Sequence, residues 1–292
     1  MKMWLVGAGY WGSKLLQSLE KFSIDAQIID IRNGQTIADI NTSDPVMLAT
    51  PLWQHYEQAC ELLKRGHDVY VEKPLAETLD QVQEIETYIR PGQLLMVGHL
   101  FVHHPQMSEI KHIIGSGAIG QLKHISSRRL NWGIYQTKTD PLLSLATHDI
   151  TIVQAIANSD PEPDTAVSWN YSNNVQPDRV WFSGHCNDIS FDIDVSWHWP
   201  VRTRQTVIVG TQGQITWDQD ANTVTVSQNN IKDHRAVADT NPKVIAYSHE
   251  LSPLEAELGH WADCLHTRTQ PGTGLAAAKM VAKTIDQVKN LI

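Results

Sequence analysis

Met3-Trp4-Leu5-Val6-Gly7-Ala8-Gly9-Tyr10-Trp11-Gly12 decides how the rest of the chain is read. A short apolar run stops at a Gly-x-Gly-x-x-Gly turn, and Leu15, Leu16 and Leu19 follow at the spacing of one helical face. Gly7 permits the tight turn, Gly9 lets backbone approach a pyrophosphate, and Gly12 lets helix and strand pack closely. The unpaired N–H groups of the helix N-terminus would then face the anion. The motif alone is weak evidence. Its context strengthens it, because Asp30 closes the next apolar run 21 residues after Gly9, where a carboxylate can accept from an adenosine ribose 2′-hydroxyl. A carboxylate there repels a 2′-phosphate, which favours NAD over NADP, and Arg32 partly offsets that charge.

Outward from this turn, Ala26–Asp30, Val46–Ala49, Asp68–Val71 and Leu94–Gly98 read as further buried strands. Amphipathic stretches such as Leu79, Val82, Ile85 and Ile89 lie between them. Alternating strands and helices predict parallel pairing with right-handed crossovers, a Rossmann doubly wound sheet over residues 1–100.

The grammar changes after residue 100. A helix over Pro105–Gly115 precedes strand-like segments at 121–133, 179–186, 189–199, 203–210, 213–218 and 222–227, with a short helix starting near Thr147. Tight turn signals between these runs predict a large, mostly antiparallel sheet. Two helices, about Pro253–Thr267 and Gly274–Leu291, close the chain. The expected fold is α/β plus α+β, with residues 101–292 as a substrate-binding and oligomerisation domain. Residues 228–252 are polar without a clear period.

The 292 residues are 41% hydrophobic and 19% charged with a net charge of −9, a globular composition with neither half basic. Nucleic acid and membrane are therefore poor partners, and a cytoplasmic location is expected. Cys60, Cys186 and Cys264 form no CxxC pair, which argues against disulfides and structural zinc. His99, His103 and His104 lack a Cys or carboxylate at ligand spacing, so no metal site is expected.

Ala49-Thr50-Pro51 with His55, Gly66-His67-Asp68-Val69, Glu72-Lys73-Pro74 and Gly98-His99 follow the glycine turn in order. Behind them come Gly117-Ala118-Ile119-Gly120, Arg129-Leu130-Asn131-Trp132-Gly133 and Leu145-Ala146-Thr147-His148-Asp149-Ile150. The series resembles the Gfo/Idh/MocA oxidoreductase family over almost the whole chain. Ser196-Trp197-His198-Trp199-Pro200 with Arg202 and Arg204 is most similar to its branch acting on UDP-N-acetylglucosaminuronate and related sugar nucleotides.

The resemblance implies hydride transfer between nicotinamide and a sugar carbon, with a nucleotide-linked sugar oxidised at C3. Lys73 would position and polarise the reacting oxygen, and His148 would move its proton. Gly7, Gly9, Tyr10, Trp11, Gly12, Asp30, Thr50, Pro51, His55, Glu72, Lys73 and His99 would hold NAD. The expected substrate residues are Lys73, Asn131, Trp132, Ser144, His148 and Arg202. Alternation places Arg202 and Arg204 on one face, where they would grip a phosphate or line a subunit contact.

One position departs from the family. Ser144 stands where an Asp is usual, four residues before His148. A hydroxyl adds no negative charge to support a protonated His or Lys, and Asp149 or Asp140 would have to substitute. Two alternatives therefore stay open, a free-sugar or cyclitol dehydrogenase and an NAD-binding sensor or assembly protein with reduced catalysis. A homodimer or homotetramer is expected, with sheet faces packed between subunits.

Overall fold

The computed structural model describes residues 1–133, 138–172, 175–232, 234–237, 239–246 and 251–292. The chain divides into two compact units, Met1–His104 with Leu251–Asp286, and Pro105–Glu250 with Gln287–Ile292. No helix among the described residues is long and apolar enough to cross a membrane.

In the first unit, β1 (Lys2–Val6), β2 (Asp25–Ile29), β3 (Val46–Leu48), β4 (Val69–Glu72) and β5 (Leu95–Gly98) form a parallel sheet in the order β2-β1-β3-β4-β5. Helices α1 (Tyr10–Glu20), α2 (Leu52–Arg65) and α3 (Leu79–Thr87) provide the crossovers. Strand order reverses between β1 and β3, and the crevice at the carboxyl ends of such a switch point is where open α/β sheets bind ligands. Every strand was legible from its apolar run.

The second unit holds α4 (Pro105–Gly115), β6 (Leu122–Trp132), α5 (Thr147–Ala157), β7 (Glu162–Trp169), β8 (Arg179–Cys186), β9 (Ile189–Ser196), β10 (His198–Gly210), β11 (Gly213–Asp218) and β12 (Thr223–Gln228). A hairpin of β13 (Asn230–Lys232) and β14 (Arg235–Val237) follows, then β15 (Lys243–Ala246). The main sheet runs β15-β12-β11-β10-β6-β9-β8-β7, and β6 with β9 is its parallel pair. The alternation of Ile125, Ser127 and Arg129 on β6 with Arg204, Thr206 and Ile208 on β10 defines the face that α5 covers, since Ser127 and Arg129 bond to Asp149 of α5.

Three expectations change. Residues 101–292 are not one continuous unit, because α6 (Pro253–Thr267) buries Leu258, Trp261, Cys264 and Leu265 among Leu15, Leu19, Tyr70 and Met96 of the first unit. Helix α7 (Leu275–Leu291) likewise packs Ala278 and Ala282 against the cluster of Val71, Val82 and Val97. Next, β10 starts at His198 rather than 203, with a register shift between His198 and Thr203 around Pro200, which has no N–H for the ladder. Finally, residues 228–252 contribute β13, β14 and β15.

Candidate active site

The glycine turn has the geometry its spacing demands. Gly7 sits at φ +99°, and a Cβ there would lie 2.7 Å from the Ala49 carbonyl oxygen. A Cβ on Gly12 would meet the Gly7 carbonyl, whereas one on Gly9 would meet nothing within 4 Å. Gly9 caps α1 without any side-chain hydrogen bond. Among the described residues no side chain caps the N–H groups of its first turn, which fits a dinucleotide pyrophosphate. Tyr10 is exposed at the edge of this opening, and Trp11 is half-buried beside it.

Asp30 lies just past β2, but its carboxylate is already occupied. Oδ1 accepts from the Arg32 backbone N–H (3.0 Å) and Nε (2.9 Å), and Oδ2 accepts from Nη2 (2.8 Å). These bonds hold Asp30 below the usual carboxylate range. Nη2 also donates to the Ala8 carbonyl at 3.2 Å, tying the acid and its partner to the phosphate turn.

At the same sheet edge, β4 ends in Glu72, followed by half-buried Lys73 and a cis Lys73–Pro74 bond. His55 of α2 braces this turn from inside. Its Nδ1 lies 2.8 Å from the Pro74 carbonyl and its Nε2 2.8 Å from the Thr50 carbonyl, with the ring 1% exposed. Burial, opposed by these two bonds, lowers its pKa, and the neutral ring donates one N–H. Thr50 in turn donates from Oγ1 to Gln58 at 2.6 Å, while Pro51 is exposed at the N-cap of α2. His55 thus orders the loop from within, as a buried brace. His99 is also buried, lining a small cavity with Pro74, Leu75 and Ile285, and burial with nearby Lys73 and His103 drops its pKa to about 3. The His103 ring lies tilted against His260 at 4.7 Å, and His104 stacks on Phe101 at 6.4 Å.

Sequence reasoning missed a buried acid pair behind Glu72. The Tyr70 hydroxyl lies 2.9 Å from Glu257 Oε2 on α6 and 3.2 Å from Glu72 Oε1. One hydroxyl has one proton, so serving both acids requires a carboxyl proton as well. Burial pushes Glu72 up to about 7, against the pull of Lys73, and burial with the charge of Glu72 holds Glu257 well above the usual carboxylate range. The signal was present in the helix period, since Glu257 interrupts the apolar face of Leu254, Leu258 and Trp261.

In the second unit, His148 occupies the first turn of α5, directly after a π-helical turn over Leu142–Ala146 that carries Ser144. Both side chains are half-buried. The two acids named for this role are differently placed. Asp149 is fully buried and committed, accepting from Arg129 Nε (2.8 Å), Arg129 Nη2 (3.2 Å) and Ser127 Oγ (2.8 Å). Asp140 accepts the Leu143 N–H at 2.7 Å and starts the π turn. Asn131 is half-buried, and Trp132 is 67% exposed with its ring 4.7 Å from His198. Arg202 is paired with Asp220 at 2.8 Å, so the expected pair of free cations reduces to Arg204.

Residues 13–99 match the oxidoreductase family with an NAD-binding Rossmann fold, Gfo/Idh/MocA. That match covers the nucleotide-binding part of the first unit, and the rest of the chain lies outside it. A relative from Mediterraneibacter gnavus, 2,7-anhydro-N-acetylneuraminate hydratase, is 26% identical over 251 residues, 73% of this chain and 66% of its own length. The chain spans less than two thirds of the curated relatives it matches in this way. Among solved structures, UDP-N-acetylglucosamine 3-dehydrogenase from Acidithiobacillus ferrooxidans gives a TM-score of 0.86 at 15% identity, covering 100% of this chain and 97% of that one. Levoglucosan dehydrogenase in complex with NADH and levoglucosan gives 0.84 at 16%, covering 100% and 96%. At such identities the likeness establishes the fold. The first unit holds both the glycine turn and the Glu72-Lys73-Pro74 turn at one sheet edge.

Proposed function

We propose that this protein is an NAD-dependent oxidoreductase acting on a CH–OH group of a sugar, at C3 of a nucleotide-linked sugar. The observation that carries the reading is the shared edge of one parallel sheet. The β1–α1 turn with its open Gly9 offers N–H groups to a dinucleotide, and two strands away β4 delivers Lys73. When bound, NAD supplies the hydride acceptor. Gly7, Gly9 and Gly12 admit its pyrophosphate, Asp30 meets the adenosine ribose, and Thr50 and Pro51 border the same crevice. Tyr10, Trp11, His99 and Glu72 complete the cofactor side, with His55 acting through the loops it braces.

Lys73 presents an ammonium to the oxygen whose carbon is oxidised, and His148 takes the proton that leaves it. Asn131, Trp132 and Ser144 contribute to holding the sugar. A homo-oligomer is part of this reading. The nucleotide-linked substrate is supported by the likeness of the Ser196–Arg204 stretch to that branch and by the sugar-nucleotide dehydrogenase among the structural neighbours.

Ser144 supports a second reading, an NAD-binding protein with reduced catalysis, because Asp149 and Asp140 are both engaged elsewhere. Absorbance of NADH decides between them. Turnover of UDP-N-acetylglucosamine or its uronate with NAD supports the first reading. Turnover of levoglucosan or myo-inositol alone moves the substrate to a free sugar or cyclitol. Tight NADH binding without turnover of any of the four supports the second reading.

A further inference from the structure

A row of hydrogen-bond donors crosses three strands of the eight-stranded sheet on the face that α5 covers. Arg129 of β6 stands directly opposite Arg204 of β10. Gln219, the residue after β11, donates its backbone N–H to the Arg204 carbonyl (2.9 Å) and accepts from Arg129 Nη2 through Oε1 (3.1 Å).

Charge in this row does not balance. Arg129 is neutralised by Asp149 at 2.8 Å, and Arg202 by Asp220, whose Oδ1 accepts from Nε (2.9 Å) and Nη2 (2.8 Å). Among the described residues Arg204 makes no direct ion pair, and the carboxylates that act on it, Asp220 and Asp149, are already bonded to Arg202 and Arg129, so three guanidiniums stand against two carboxylates. Hydrogen bonding does not balance either. Arg204 Nε and Gln219 Nε2 are both buried, and neither finds an acceptor among the described residues. Two buried donors without acceptors cost their desolvation, an arrangement that persists where something else fills the role.

We propose that Arg204 and Gln219 receive an oxyanion of the sugar substrate, either a carboxylate or a phosphate group. A water or sugar hydroxyl would satisfy the two N–H groups but would leave the surplus charge. An oxyanion satisfies both at once, with Arg204 supplying the cation and Gln219 a neutral donor beside it. Burial first, and then Arg129 and Arg202, disfavour the charged form of Arg204, which a bound anion would relieve. The row adjoins the proposed chemistry through α5, because the acid that neutralises Arg129 follows His148 directly in sequence. This assignment rests on the sugar-oxidising reading above and narrows its substrate to anionic sugars.

Calorimetry on the full chain with saturating NADH provides the test, using two matched pairs, UDP-N-acetylglucosamine against N-acetylglucosamine and glucuronate against glucose. At least one anionic member should bind about tenfold or more tightly than its neutral counterpart, the scale of one charge-assisted hydrogen bond. The pair showing that margin tells phosphate from carboxylate. Arg204→Gln should erase the margin. Gln219→Glu should erase it too, because the near-isosteric carboxylate still accepts from Arg129 while giving Arg204 an internal partner. That second variant should melt no lower than the unmutated protein, so its lost binding cannot be unfolding. An unmutated protein with no margin in either pair, or variants that both keep it, would overturn the receptor. NADH binding is read separately. Its absence overturns the nucleotide-dependent reading and the receptor that rests on it, whereas NADH binding without preference for anionic sugars overturns the receptor alone.

Discussion

Asp30 and Arg32 act as one unit, so cofactor choice depends on both. With Asp30 accepting three hydrogen bonds from Arg32, its negative charge is masked. Arg32→Ala should therefore sharpen the preference for NADH over NADPH, and Asp30→Ala should narrow it by releasing the guanidinium for a 2′-phosphate. Fluorescence titration measures both, and equal affinities for NADH and NADPH in the unmutated protein would remove the basis of the NAD assignment. Lys73→Ala and His148→Ala should each lose about 10²–10⁴ in turnover, the range for a positioned proton-transfer group, while NADH still binds through the glycine turn and Asp30. Glu72 gives a pH signature of definite sign. Its carboxyl is raised to about 7 in the folded protein, so between the ordinary carboxylate range and that value the native state binds more protons than the unfolded chain. Stability should then fall as pH rises through this window, and the raised Glu257 prolongs the fall above it. Glu72→Gln should flatten that slope in urea titrations at several pH values, and an unchanged slope would show that the acid pair is not the source. At this scale the glycine turn was readable because its logic is contained in six adjacent residues. The partners of Asp149 were not, since Ser127 and Arg129 reach it from a strand some 20 residues away and only folding brings them together.

Helix α6 illustrates what a sequence says about an element and what it withholds. Its limits are legible, because Ser252 caps the helix, Glu255 completes a capping box and Pro253 fills the first turn. Its destination is not, since an apolar stripe does not say which core it joins. The structure seats it on α1 and β4, where Trp261 is fully buried with its ring 6.3 Å from that of Tyr70. Trp261→Ala should cost about 3–5 kcal/mol, as for other large buried aromatics reduced to alanine. Thermal unfolding should show the first unit melting at lower temperature, and a loss below about 1 kcal/mol would mean that α6 contributes little to that core. Strand β7 was missed for the opposite reason. It pairs only with β8, carries Pro163 beside a register shift, and exposes most of its residues, so neither alternation nor an apolar run marks it.

For the whole molecule, the two faces of the eight-stranded sheet differ in what covers them. One face is closed by helices, with Asp149 of α5 reaching Ser127 and Arg129, and Gln106 of α4 accepting from the Trp217 indole at 2.7 Å. The opposite face presents Trp181, Thr203, Gln205, Val207 and Val209, all half-buried. The Arg179–Asp194 pair lies there as well, with the guanidinium 4.5 Å from the Trp199 ring. Trp197 is 4% exposed and belongs to the core. A face this mixed, with aromatic and β-branched side chains in its central strands, suits an isologous contact in which the same patch meets its copy across a two-fold axis. We expect a dimer or larger closed assembly by light scattering at micromolar concentration. Val207→Asp should reduce it to monomers, because the added charge would meet its own copy near the axis and also lie close to Asp192 on β9. NADH affinity should not change, since Val207 belongs to the second unit and the glycine turn to the first. A monomeric unmutated protein would contradict the assembly, and an intact oligomer of the Val207→Asp variant would move the contact away from this face.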